Sequence, residues 1–198
     1  MSEPAAVIDG ELTAAQRKRR TDILNAARAL AIKGGYDAVQ MRDVSEKAGV
    51  ALGTLYRYFP SKTHLLIAVM QDMTVGLVKA TARRPPSGAE PADRVIALLE
   101  AANAGLHKTP GLAEAMIRSI MFADASAAAD VDRITALTAE ALSIAIHGEA
   151  ITPTAEEARI TRIIGHVWWS NILGWLAGRS SPEQMSAELA ICARRLLV

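Results

Sequence analysis

Between Gln40 and Lys62 the chain reads QMRDVSEKAGVALGTLYRYFPSK. Met41, Val44, Ser45 and Ala48 fall three or four apart, which places them on one face of a short helix. Gly49 supplies the left-handed residue that ends such a helix. Ala51 to Tyr58 predicts a second helix, with Leu55 and Phe59 turned to the core. Pro60 stops it, and Ser61 caps the next helix. Two short helices joined by a glycine turn form a helix-turn-helix, whose second helix enters the major groove of DNA. That helix carries Thr54, Tyr56, Arg57 and Tyr58, with Lys62 at its end, and these side chains suit phosphates and base edges. Ala51 and Leu52 at its leading edge suit thymine methyl groups, although Leu52 fits a partly exposed core position equally well. Gly53 costs about 1 kcal/mol relative to Ala inside a helix. Either close approach to DNA or tight helix packing accounts for it.

Charge supports the same reading. The net charge is only +1, but residues 12–62 hold ten Lys/Arg against four Asp/Glu. Basic charge gathered in one segment is the footprint of a nucleic-acid contact. Thr13 and Gln16 make a capping box that starts a first helix. Arg17, Lys18, Arg19 and Arg20 then sit in its first turns, where the helix dipole is already positive, so an external anion is expected there. Ile23, Ala27, Leu30 and Ala31 form its buried stripe, and Gly34-Gly35 closes it.

The chain has 198 residues, 51% hydrophobic and 4% aromatic, with little β-branched alternation, which predicts an all-α protein. Later helices are expected at about 61–83, 91–108, 110–122, 125–148, from Thr152-Pro153 to 177, and from the capping box Ser181-Pro-Glu-Gln184 to the end, nine in all. Residues 1–11 are expected to be a disordered arm. They lack a signal-peptide pattern. The apolar run 163–178 is shorter than the ~20 residues of a membrane span, so a cytoplasmic protein is expected. The single cysteine, Cys192, excludes an internal disulfide and a cysteine metal cluster. His64, His107, His147 and His166 show no metal-ligand spacing and read as capped or surface histidines. There is no glycine-rich phosphate loop, so an enzyme is disfavoured and no cofactor or metal is expected.

The segments GYDA, MRDV and AGVALGTLYRYFPSK closely resemble the TetR family of bacterial repressors. The resemblance implies a helix-turn-helix DNA-binding domain at 1–61 and a ligand-binding and dimerisation domain at 62–198. It adds Gln40 and Arg42, at the start of the second helix, to Arg17 and Arg20 as DNA contacts. Gln40 is a weak N-cap, so its side chain is expected on DNA. Within the family, GGYDAVQMR (34–42), LAEAMIRSIMFADAS (112–126) and VWWSNILGWL (167–176) are similar to repressors of cholesterol catabolism. That similarity implies an apolar inducer, a steroid acyl-CoA. Drug-efflux and fatty acyl-CoA regulators of the same family are the alternative.

For the ligand, the resemblance singles out Leu106, Met116, Arg118, Ile120, Met121 and Phe122. Ordinary core is the plain alternative for the apolar ones. Arg118 either snorkels to solvent or pairs with an anion. Trp168, Ile172 and Trp175 share one face of the eighth helix, with Trp169 and Leu173 on the next. Members of the family pair through the last two helices, so these residues divide between pocket and homodimer interface. Ser170 and Asn171, within an apolar helix, need hydrogen-bond partners.

Overall fold

The computed structural model describes residues 13–197, so the arm expected at 1–11 lies outside the described residues. Among them are nine α-helices, one 3-10 turn and no strand. The helices are α1 (Ala14–Ala38), α2 (Met41–Lys47), α3 (Leu52–Tyr58), α4 (Lys62–Arg83), α5 (Pro91–Lys108), α6 (Pro110–Met121), α7 (Ala128–His147), α8 (Ala155–Leu176) and α9 (Pro182–Leu196). They group into two compact units. The first runs up to Met70 and also takes in Thr109–Asp130; the second comprises Gln71–Lys108 and the chain from Val131 onward.

Local chemistry sets most of the boundaries. Reciprocal capping boxes start α1 (Thr13 with Gln16) and α9 (Ser181 with Gln184). The α2–α3 turn is a complete Schellman motif. Val50 N–H donates to the Ser45 carbonyl at 3.0 Å and Gly49 N–H to the Glu46 carbonyl at 3.2 Å, with Gly49 at φ +64°. Several boundaries differ from the sequence reading, among them the start of α7, where Ala125–Ala127 form the 3-10 turn instead of α-helix. The glycine pair interrupts α1 rather than ending it: Gly34 and Gly35 leave helical geometry, and helical bonding resumes to Ala38. The cap of α8 is Thr154, not Thr152, because only Thr154 has a glutamate three residues on, Glu157, to complete a capping box. Thr109 precedes α6, but its side chain makes no cap bond.

In the first unit, α6 packs along α1. The approach is close enough that a Cβ on Gly111 would lie 2.8 Å from the Ala31 carbonyl oxygen. Ile23, Leu24 and Ala27 of α1, Val44 of α2, Leu55 of α3, and Leu65, Leu66 and Val69 of α4 are buried. In the second unit, α9 packs on both α5 and α8 through Met185, Leu189 and Ala193, spaced one turn apart. Six successive residues of α7, 141–146, are buried, so it is an interior helix rather than a one-faced one. Arg94 of α5 caps the end of α7. Its Nε donates to the Ala145 carbonyl at 3.0 Å and its Nη2 to that of Ile146, while Nη1 holds the Gly88 carbonyl at 3.1 Å. Cations are favoured at a helix C-terminus, where carbonyls lack partners. Among the described residues α4 is the helix long and apolar enough to cross a bilayer, and 56% of its most apolar window is buried inside the protein.

Candidate functional site

The candidate nucleic-acid face is α3. Leu55 is fully buried and Phe59 nearly so, which orients the helix and leaves Ala51, Leu52, Gly53, Tyr56 and Arg57 exposed, with Thr54 and Tyr58 at the margin. Gly53 has open space around it: an added Cβ would meet nothing within 4 Å. Tight packing against another helix is therefore not the reason for this glycine. Leu52 is exposed, not a core residue.

The other expected DNA contacts differ in how far the fold engages them. Arg17 is exposed, and Arg20 lies over the Phe59 ring at 5.8 Å, tying α1 to the end of α3. Arg42 pairs with Glu46 one turn on, at 3.1 Å, with both side chains well exposed. Such a surface pair is weak. Gln40 makes no cap bond; its amide donates to the Asp37 carbonyl at 2.9 Å. Lys62 is engaged as well: its ammonium sits 3.8 Å from the centre of the Tyr36 ring. Burial, opposed by Asp37 and reinforced by Arg118, lowers its pKa.

Arg118 belongs to the same cluster. It stacks over Tyr36 at 4.5 Å and bonds to Glu114 at 2.9 Å and Asp37 at 3.0 Å. Those hydrogen bonds raise its pKa. Of the two sequence alternatives, anion pairing holds, and the anions are carboxylates of the protein. Phe122 packs on Tyr36 with ring centres 5.6 Å apart. Met116 is buried and Ile120 half-buried, but Met121 and Phe122 are 67% and 58% exposed. The α6 residues grouped by sequence thus do not share one surface.

In the second unit, Trp168 and Trp175 of α8 turn inward. The Trp168 indole N–H donates to Asn103 Oδ1 at 2.7 Å. Trp175 meets the His107 ring edge-on, with centres 4.5 Å apart. Asn171 and Ile172 are buried beside them, Leu106 and Trp169 are half-buried, and Ser170 is exposed. The side-chain nitrogens Asn103 Nδ2, His107 Nε2 and Asn171 Nδ2 are buried without a hydrogen-bond partner. Asn103 and His107 escape the sequence reading, which treats His107 as capped or exposed. The overlooked signal is a polar residue, Asn103, inside the apolar stripe Leu99–Leu106. The other face of α8 exposes Ile163, His166, Ser170 and Leu173, spaced three, four and three apart, and α9 exposes Ile191. Among the described residues no cluster of His, Cys, Asp and Glu suits a metal ion.

Two family models match the chain: "Bacterial regulatory proteins, tetR family" over residues 23–69, and "Tetracyclin repressor-like, C-terminal domain" over residues 88–196. The chain is 43% identical over 195 residues to the HTH-type transcriptional repressor KstR of Mycobacterium tuberculosis, covering 98% of this chain and 87% of that protein. It is 43% identical over 183 residues to KstR of Rhodococcus jostii, covering 92% and 84%. Among solved structures, a TetR transcriptional regulator from Rhodococcus sp. RHA1 superposes with TM-score 0.85 at 34% identity, over 93% of this chain and 98% of that one. Thermus thermophilus FadR, solved with lauroyl-CoA, superposes with TM-score 0.70 at 23% identity, over 90% and 93%, a likeness of fold.

Proposed function

We propose that this chain, which belongs to the TetR family of bacterial regulatory proteins, binds palindromic operator DNA as a homodimer and is released by an apolar acyl-CoA. That it is a TetR-type transcriptional repressor rather than an enzyme follows from its relatives along nearly its whole length. The observation that carries the DNA reading is the exposed face of α3, where Tyr56 and Arg57 stand out beside an unobstructed Gly53. Two such helices in a dimer would read half-sites about 34–36 Å apart. Arg17, Arg20, Gln40, Arg42, Ala51, Leu52, Thr54, Tyr58 and Lys62 complete the proposed contact set.

Pairing through α8 and α9 is supported by the exposed Ile163 and Leu173 of α8 and Ile191 of α9. The functional division we propose is a DNA reader at 1–61 and a ligand-binding and pairing part at 62–198. The ligand class rests on the resemblance to repressors of cholesterol catabolism: a steroid acyl-CoA, in contact with the inward face of α8. The ligand must bind the DNA-free arrangement better by a few kcal/mol, because coupling is only as large as differential affinity.

The test is a mobility-shift titration of the purified protein on its own upstream region, with a steroid acyl-CoA and, separately, stearoyl-CoA. Release by the steroid thioester alone is expected. Release by stearoyl-CoA alone would replace the steroid with a fatty acyl chain, and DNA binding unaffected by either would refute the ligand reading.

A further inference from the structure

We infer that Asn103, His107 and Asn171 form an internal hydrogen-bonding seat, between α5 and α8, for a carbonyl oxygen set in the apolar part of the ligand. The inference rests on the proposed release by ligand and specifies which part of the ligand is recognised.

The chemistry of the Asn103–Trp168 bond sets the orientation of the seat. An indole N–H can only donate, so the atom of Asn103 that lies 2.7 Å from it must be the amide oxygen. The amide nitrogen therefore points elsewhere, and it is buried with no partner in a residue only 3% exposed. His107 lies one turn further along α5, against Trp175. Trp168 and Trp175 are two turns apart on α8. Residue numbers rise together across these two contacts, so the helices run parallel here. Asn171 occupies the same face of α8 midway between the tryptophans and falls between the levels of Asn103 and His107. It is 9% exposed, and its amide nitrogen too lacks a partner.

A buried amide without a hydrogen bond is left desolvated with nothing in return, and native proteins hold few such groups. Two amide donors on one seam, with an imidazole Nε2 as a third partner in its N–H tautomer, call for an acceptor. The Asn103 amide atom lacking a partner is a donor, its orientation fixed by the indole, so the group received is an oxygen with lone pairs. The flanking Trp168, Ile172, Trp175 and Leu106 require the part of the ligand around that oxygen to be apolar. A ketosteroid acyl-CoA has two carbonyls next to apolar groups, one on the ring system and one in the thioester.

The test measures binding to the full chain by calorimetry with three thioesters: a ketosteroid acyl-CoA, the same compound without its ring ketone, and stearoyl-CoA. Asn171→Leu and His107→Phe keep side-chain shape while removing the polar nitrogens. We expect each variant to bind at least ~10-fold more weakly, the factor that 1.4 kcal/mol produces, with a ligand-free melting temperature equal to or above that of the wild type. A loss confined to the ketosteroid places the ring carbonyl in the seat, and an equal loss for all three places the thioester there. Unchanged affinity in both variants, or no binding of any thioester by the wild type, overturns the seat. So does a lower melting temperature in both ligand-free variants, which marks a seam satisfied by buried water. A mobility shift on the same samples separates the two readings. Wild type that binds at the seat but keeps its operator leaves the seat standing and removes ligand release.

Discussion

Glu114 of α6 accepts a hydrogen bond from the backbone N–H of Tyr36, 78 positions earlier in the chain, at 2.7 Å. The same carboxylate holds Arg118 at 2.9 Å, and Arg118 stacks on the Tyr36 ring. Gly35 makes room for the carboxylate: at φ +67°, an added Cβ would lie 2.5 Å from Glu114 Oε2. The break in α1 and the carboxylate of α6 therefore fit each other, and α6 is fastened to the helix that precedes the helix-turn-helix.

Glu114→Ala is expected to lower the unfolding free energy by about 1–3 kcal/mol, because a half-buried amide loses its acceptor. Glu114→Gln, which retains an acceptor oxygen, should recover part of this. Urea denaturation followed by circular dichroism is the check, and an unchanged midpoint for the alanine variant would refute the role assigned to Glu114.

Gly53→Ala separates stability from DNA binding. The site is helical and open, so the methyl group should raise stability by up to about 1 kcal/mol. If α3 lies against DNA, the same methyl group should weaken operator binding by about tenfold, or 1.4 kcal/mol. Fluorescence anisotropy with labelled operator decides: affinity equal to the wild type would mean that Gly53 does not approach the DNA.

The start of α8 should be sensitive to acid. Hydrogen bonds from the Thr154 backbone and hydroxyl, with a smaller contribution from His147, hold the Glu157 carboxyl below its ordinary value of 4.5. A lowered folded-state pKa stabilises the protein above the unfolded value, and the gain is lost as pH falls through the folded one. Glu157→Gln should therefore melt below the wild type near neutral pH, with the gap closing below pH 4.5. A gap that persists at low pH would contradict this.

Burial pushes the Cys192 thiol up from its ordinary value. Thiolate is the reactive form, so a disulfide reagent at about pH 8 should modify the native protein more slowly than the urea-unfolded chain. Equal rates would show that the thiol is as available in the fold as out of it.

Much of the fold was legible because the signals are local. The Thr13 and Ser181 capping boxes, Gly49 with its Schellman bonds, and Pro60 act through residues within five positions, and the helix-turn-helix can be read from them directly. The Thr154–Glu157 box was equally legible, but the neighbouring Thr152-Pro153 offered a competing start. Glycines were harder. Gly53 left two explanations open until its surroundings were known, and Gly35 resembled a helix end although its conformation answers to Glu114.

What the sequence determined by itself was the set of helices, their apolar faces and the concentration of basic charge in residues 12–62, all properties of neighbouring residues. Tertiary structure alone decided what each face meets. Periodicity shows that Trp168 and Trp175 share a side of α8, but not that this side meets Asn103 and His107, nor that Ile163 and Leu173 stay exposed. It shows Arg118 among apolar residues, but not that Asp37 and Glu114 receive it. A helix's pattern records how much of it is buried, whereas the identity of the partner depends on how distant segments pack.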